Sequence, residues 1–109
     1  MTFDQLIATA GAKSASDIHL RAGHAPLVRV HGELERWSTV APLTAAHLDA
    51  IAIRLLPPGH QERLQSKLEV DVAWQAPGVG RVRASVFRQR GTTAVSICRY
   101  SGYTHAEDV

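Results

Sequence analysis

Residues 69–99, EVDVAWQAPGVGRVRASVFRQRGTTAVSICR, have the most informative pattern in the chain. Apolar and polar residues alternate along this stretch with a period of two, which is typical of half-buried β-strands. The apolar positions are Val70, Val72, Trp74, Val82, Ala84, Val86, Val95 and Ile97. Pro77-Gly78-Val79-Gly80 predicts one turn, and Arg90-Gly91 predicts a second one. We therefore predict three strands joined by two hairpins, the last of them ending at Arg99.

The same alternation occurs near the start of the chain. Residues 17–21 form one predicted strand and residues 28–31 the next, because apolar residues occupy every second position in each. Gly32 predicts a turn or bulge before the apolar residues Leu34 and Trp37. The first half of the chain therefore contributes two or three strands.

Three segments have helical spacing instead. Thr2 and Gln5 fit a capping box at the start of the first helix, and Thr44 is a suitable N-cap for the second. Leu64 and Leu68, four residues apart, predict a third and shorter helix. The order of helix, two or three strands, two helices and three strands predicts an α+β domain, in which helices cover one face of an antiparallel sheet.

The length and composition of the chain indicate a single small domain. At 109 residues the chain is long enough for one hydrophobic core, which we assign to residues 1–100, while the polar residues 101–109 are expected to be a linker or truncated tail. No stretch has the apolar length that spanning a bilayer requires, and the N-terminus lacks the pattern of a secretory signal. The single cysteine, Cys98, cannot form an internal disulfide. We therefore expect a cytoplasmic protein.

Several individual residues have ordinary structural interpretations. His19, His24 and His31 lack close metal-ligand spacing, so we expect structural roles for them. Ser16 and Asp17 are too near His19 in sequence to predict a nucleophile triad, which is defined by geometry. Trp37 and Trp74 are expected to anchor the core or an interface. Cys98, which alternates with Ser96 and Ala94, is expected to be a small, unreactive residue facing the helices.

Several motifs resemble a known family. Residues 16–23, SDIHLRAG, and 26–34, PLVRVHGEL, resemble the opening of the twitching-motility retraction ATPases. Residues 69–71 resemble the acidic strand start of that family, residues 80–87, GRVRASVF, its Gly-Arg-Phe-Arg-x-x-x-Phe strand, and residues 90–99 its final hairpin. Because several elements recur in order, the chain is similar to the N-terminal domain of type IV pilus and type II secretion ATPases.

This resemblance implies a PAS-like domain that assists subunit assembly and nucleotide-site closure in a hexameric P-loop ATPase. The implied partners are the C-terminal ATPase domain, neighbouring subunits of a homo-hexamer, and pilus or secretion machinery at the inner membrane, with the protein cytoplasmic and peripheral to that membrane. It also implies that Arg83 and Arg99, with the neighbouring Arg81, contact nucleotide phosphates, since guanidinium groups bind phosphate oxygens bidentately. ATP and Mg²⁺ would belong to the full-length parent. Retraction, extension and secretion remain alternative roles.

The chain lacks the P-loop that such an ATPase needs. Its glycine pair, Gly78 and Gly80, is followed by arginine and not by lysine and a hydroxyl residue. We therefore expect no cofactor and no ATP turnover in this chain alone. The segment that begins at Ser101 also departs from the isoleucine-proline linker usual in the family.

Other functions make different predictions. A free-standing PAS-like sensor or protein-interaction module predicts a bound small ligand or a dimer formed through the first helix. Nucleic-acid binding predicts a steep salt dependence, which the net charge of only +2 does not favour. For Arg81 and Arg83, which share a predicted strand face, the simplest alternative is a solvated surface.

Overall fold

A computed structural model describes residues 2–99 and gives three helices and six strands. The elements are α1 (Phe3–Ala12), β1 (Ala15–Leu20), β2 (Leu27–Val30), β3 (Glu33–Arg36), α2 (Ala45–Leu55), α3 (Pro58–Lys67), β4 (Glu69–Ala76), β5 (Gly80–Gln89) and β6 (Thr92–Arg99). The predicted linker or tail at residues 101–109 lies outside the described residues. No helix within the described part is long and apolar enough to cross a membrane.

The six strands form one sheet with the order β3-β2-β1-β6-β5-β4. Every neighbouring pair is antiparallel. The three helices supply buried apolar residues to the same core as the inward-facing strand positions. Its largest fully buried apolar side chains include Leu20, Val28, Leu48, Val82, Val86 and Val95. The predicted α+β fold, a sheet with helices on one face, is confirmed.

Local sequence signals fix the ends of the helices. Thr2 Oγ1 accepts a hydrogen bond from the Gln5 amide at 3.1 Å, and Gln5 Oε1 accepts one from the Thr2 amide at 2.8 Å, as the capping box predicts. At the start of α2, Thr44 Oγ1 accepts from the His47 amide at 3.1 Å, and His47 Nδ1 accepts from the Thr44 amide at 3.2 Å. Histidine therefore performs the role that glutamate or glutamine usually has in this motif.

The end of α3 differs from the predicted pattern. Leu64 is buried as expected, but Leu68 lies beyond the helix, is 58% exposed and has a φ of 67°. The Leu68 amide donates to the Leu64 carbonyl at 2.9 Å and closes the last turn, and β4 begins at the next residue. The predicted third helix is therefore present, but it ends before Leu68, because a left-handed residue is needed there to reverse the chain into the sheet.

A polar contact joins α2 to the sheet. The Thr93 side chain in β6 is buried, and its hydroxyl donates to Asp49 Oδ1 at 2.8 Å and accepts from Arg88 Nη1 at 3.0 Å. Arg88 also donates to the Gly91 carbonyl at 2.9 Å. The buried hydroxyl is therefore fully satisfied, and the contact holds α2 in register with the β5–β6 hairpin.

Candidate functional site

The sheet face opposite the helices is a polar surface, which we call the open face. Residues on it alternate with core residues along each strand, as the strand register requires. Its main polar members are Asp17, His19, Arg29, Glu69, Asp71, Arg81, Arg83, Ser85, Ser96 and Cys98. Antiparallel sheets often leave one face to solvent, so exposure alone is not a functional sign, and the contacts within the face are informative.

Asp17 is the centre of one open-face network. Its carboxylate accepts from Ser16 Oγ at 2.6 Å and from His19 Nε2 at 2.6 Å, and it lies 3.3 Å from Arg29 Nε. The Asp17 side chain is only 16% exposed. Burial alone would raise its pKa, but the hydrogen bonds from Ser16 and His19, with the charges of His19 and Arg29, bring the pKa below its usual value of 3.8.

The His19 ring extends this network to the other half of the chain. Its Nδ1 lies 3.0 Å from Ser96 Oγ, while its Nε2 contacts Asp17. Asp17, His19 and Ser96 therefore form a continuous polar chain across β1 and β6. Sequence reasoning missed Ser96, which is 77 residues away from His19. Pairing of β1 with β6, which places His19 opposite Ser96, is the signal that could have found it.

A second set of contacts crosses β4 and β5. Arg83 Nη2 donates to Asp71 Oδ2 at 3.1 Å, and Ser85 Oγ lies 3.3 Å from Glu69 Oε2 and directly opposite Asp71 in the strand register. The Ser85 hydroxyl, and then the hydrogen bond and charge of Arg83, lower the pKa of Asp71. Both partners of the Arg83–Asp71 pair are about half exposed, so the pair contributes little to stability.

Two of the three arginines proposed from the sequence line one cavity. Arg83 and Arg99 both border a cavity of about 270 Å³, together with Glu69, Asp71, Ser85, Ser96 and Cys98. Arg81 lies on the same face of β5 as Arg83, opposite Gln75, but does not line this cavity. The structure thus brings Arg83 and Arg99 together and leaves Arg81 beside them.

The two cavity arginines approach it from different sides of the sheet. Arg83 is opposite Cys98 in the strand register, whereas Arg99 is opposite the buried Val82 and so belongs to the helix side. Arg99 Nη1 lies 3.5 Å from the Ala15 carbonyl oxygen. Arg99 is therefore positioned at the end of the sheet, where its long side chain borders the open face from the edge.

Cys98 corrects one sequence prediction. Val95 and Ile97 are the residues of β6 that face the helices, so Cys98, one residue later, lies on the exposed open face. The prediction grouped Cys98 with the small residues Ala94 and Ser96. The period-two alternation instead identifies Val95 and Ile97 as the residues that face the core. Burial and the Asp17 charge raise the pKa of the Cys98 thiol, against the opposing charge of Arg83. The thiol is therefore mostly protonated at neutral pH.

Within residues 2–99, no group of three or more His, Cys, Asp or Glu residues has the geometry to hold a metal ion.

Sequence comparison links the chain to a pilus motor. The type IV pilus retraction ATPase PilT of Pseudomonas aeruginosa is 33% identical over 96 residues, which make up 87% of this chain and 28% of that protein. No protein-family model matches the chain.

Solved structures give the same relationship. The pilus retraction motor PilT with bound ADP matches with a TM-score of 0.80 and 33% identity, over 90% of this chain and 29% of that one. The ATPase DotB of Legionella pneumophila matches with a TM-score of 0.73 and 19% identity, over 91% of this chain and 29% of that one. At that identity DotB supports the fold alone.

The fold is that of a domain found in ATPases such as the pilus retraction motor PilT. The chain is homologous to the pilus retraction ATPase PilT, which confirms the predicted resemblance. It spans less than a third of the length of the relatives it matches.

Proposed function

We propose that this chain is the N-terminal domain of a hexameric motor ATPase of the type IV pilus or type II secretion class. In that role it assists subunit assembly and closes the nucleotide site of a P-loop domain that these residues do not contain. The observation that carries the proposal is the extent of the match: PilT matches 87% of this chain, but the chain covers only 28% of PilT. The remaining length of such a relative has room for a catalytic domain.

The open face is the surface that we propose for docking. An arginine-rich polar face with oppositely charged groups suits an interface that must form and separate, because such interfaces are more polar than permanent ones. The proposed partners are the C-terminal ATPase domain and neighbouring subunits of a homo-hexamer. The PAS-like classification, the cytoplasmic position peripheral to the inner membrane, and contact with pilus or secretion machinery belong to the same proposal.

Arg83 and Arg99 are the proposed phosphate contacts, with Arg81 as a neighbouring positive charge. The 270 Å³ cavity fits this role because it contains both guanidinium groups, but it also contains the carboxylates of Glu69 and Asp71. A phosphate group would therefore compete with Asp71 for Arg83. Breaking the Arg83–Asp71 pair would cost little free energy, since a half-exposed ion pair contributes only about 0–1 kcal/mol. ATP, bound together with Mg²⁺ by the full-length parent, would supply the phosphoryl group. The arginines would neutralise the charge of that group.

The test begins with the gene. The reading frame beyond codon 109 is expected to encode a Gly-x-x-x-x-Gly-Lys-(Ser/Thr) loop, and the complete product is expected to hydrolyse ATP. In that product, Arg83→Ala and Arg99→Ala should each reduce kcat at least tenfold. Arg63→Ala, which removes an exposed arginine of α3 outside the open face, should leave it unchanged. Normal hydrolysis in both cavity variants would reject the phosphate role.

A small-ligand sensor is the second candidate, and one cavity favours it. A cavity of about 450 Å³ lies between α1, α2 and residues 40–43, with Phe3, Leu6 and Ile51 in its lining. This volume is within the range of ligand pockets. A thermal-shift screen separates the two functions, because a ligand specific for the native state raises Tm by an amount that grows with the logarithm of its concentration above Kd. A sensor predicts a hit that is lost in Ile51→Arg, and a motor domain predicts none.

A further inference from the structure

A second concave site lies at the other end of the described domain from the Arg83–Arg99 cavity. The charged residues of its lining are all arginines. We call it the turn cavity. It has a volume of about 230 Å³ and lies between the end of β1 with the following turn and the β5–β6 hairpin. Its polar lining consists of Arg21, His24, Gln89, Arg90 and Thr92, and two alanines complete it. None of the lining residues is acidic, in contrast to the cavity that holds Arg83.

The two turn-cavity arginines have no carboxylate partner among residues 2–99. Three other arginines of the described domain are paired with aspartates: Arg29 with Asp17, Arg54 with Asp4, and Arg83 with Asp71. Arg21 and Arg90 form no such pair within that part of the chain. Two guanidinium groups beside one cavity repel each other unless an anion lies between them.

The backbone that carries these arginines is held in place by hydrogen bonds. In the turn after β1, the Gly23 amide donates to the Leu43 carbonyl at 2.7 Å, and the Leu43 amide donates to the His24 carbonyl at 3.1 Å. In the hairpin, Thr92 Oγ1 donates to the Gln89 carbonyl at 3.0 Å. The side-chain donors available to a ligand are therefore those of Arg21, Arg90, Gln89 and His24, on a preformed frame.

Arg90 occupies a backbone position that its side chain does not favour. It has a φ of 55° and is followed by Gly91 at 82°, which makes a two-residue hairpin turn of the kind that prefers Asn-Gly or Asp-Gly. The β2–β3 hairpin has His31 at the same position, with a φ of 52°, but histidine is among the residues that adopt this region more readily. An arginine in a strained turn position is the kind of outlier that accompanies a binding role.

We propose that the turn cavity binds a phosphate group, either free or as the head of a small organic monoester. Two guanidinium groups match a phosphate, which carries about −1.5 to −2 charges and three acceptor oxygens, better than a carboxylate with a single charge. The volume of about 230 Å³ is smaller than that of pockets for drug-sized ligands and suits a phosphate with a small organic group. This site is separate from the proposed nucleotide contact, because the two cavities share no lining residue.

The experiment is a titration of the 109-residue chain followed by two-dimensional NMR of backbone amides. Inorganic phosphate is added at constant ionic strength, with glycerol 3-phosphate and acetate in parallel samples. Phosphate is expected to give saturable shifts at residues 21–24 and 89–92. Tighter binding of glycerol 3-phosphate would identify the organic monoester as the ligand class, while equal affinity would identify free phosphate. Both results support the site.

Matched variants test the arginines. The double variant Arg21→Gln/Arg90→Gln should weaken phosphate binding at least tenfold, whereas Arg36→Gln/Arg63→Gln, which removes the same charge elsewhere on the exposed surface, should change it less than twofold. The proposal is overturned if the wild-type shifts do not saturate, if acetate binds as well as phosphate, or if both double variants bind equally. Should the first variant fail to fold, the wild-type titration decides alone.

Discussion

Replacing Asp17 with asparagine removes the charge at the centre of the open-face network while keeping the side-chain size. The Asp17 carboxylate contacts Ser16, His19 and Arg29 at 2.6, 2.6 and 3.3 Å. A hydrogen bond to a charged group contributes about 1.5–3 kcal/mol, and asparagine retains one acceptor oxygen for these partners. The side chain is 16% exposed, so water replaces little of the loss. We expect Asp17→Asn to lower the free energy of unfolding by about 2–3 kcal/mol at pH 7.

The control is the same substitution at the exposed pair. Asp71→Asn breaks the contact with Arg83, but these side chains are 41% and 54% exposed, so the expected loss is about 0–1 kcal/mol. Urea unfolding at pH 7 measures both values, with unchanged m-values as the check for two-state behaviour. A loss below about 0.5 kcal/mol for Asp17→Asn, or equal losses for the two variants, would refute the claim that the Asp17 network stabilises the fold.

The pH dependence of stability tests the role of the Asp17 charge independently. The pKa of Asp17 in the folded chain lies below its usual value of 3.8, so the folded state favours the charged form. The resulting stability is fully present above pH 3.8 and is lost as the pH falls through the lower folded pKa. The difference in stability between the wild-type chain and Asp17→Asn should therefore shrink as the pH falls below about 4. A difference that grows as the pH falls below about 4 would contradict this assignment.

Three further substitutions test the core, the buried contact and the hairpin. Leu48→Ala, at a fully buried position, should lower the free energy of unfolding by about 2–5 kcal/mol in urea, and a loss under about 1 kcal/mol would be inconsistent with the described packing. Thr93→Val keeps the shape but removes the hydroxyl, and since Asp49 and Arg88 are exposed and can be solvated by water, we expect a loss of about 0.5–1.5 kcal/mol; no loss would show that the contact is dispensable. Arg90→Asn should instead stabilise the chain by about 1 kcal/mol, because asparagine suits the left-handed turn position, and destabilisation would argue against strain there.

The sequence predicted the strands and helix starts well because these depend on local patterns. The period of two at Val82, Ala84 and Val86 required one buried face, and the structure buries all three. The capping box at Thr2 and the N-cap at Thr44 depend on residues only three positions apart, so they too were predictable. The spacing of Leu64 and Leu68 predicted α3 but not its end, because Leu68 adopts a left-handed conformation where the chain reverses before β4.

The candidate site was less predictable because it depends on strand order. That Arg83 and Arg99 share a cavity follows from pairing of β5 with β6, which the hairpin sequence indicates. That Ser96 contacts His19 requires pairing of β6 with β1, strands distant in sequence, and no local pattern specifies it. The turn cavity has the same origin, since Arg21 and Arg90 belong to turns that meet only in the folded sheet.

Docking of the open face is tested most directly by the reactivity of Cys98, which is exposed on that face. The rate of its alkylation by a maleimide is measured by mass spectrometry in the 109-residue chain and in the complete gene product. An added Ser66→Cys on the exposed side of α3 serves as the reference thiol in the same molecule. If the open face docks an ATPase domain, Cys98 should react at least tenfold more slowly in the complete product, relative to residue 66. Equal relative rates in the two proteins would contradict docking.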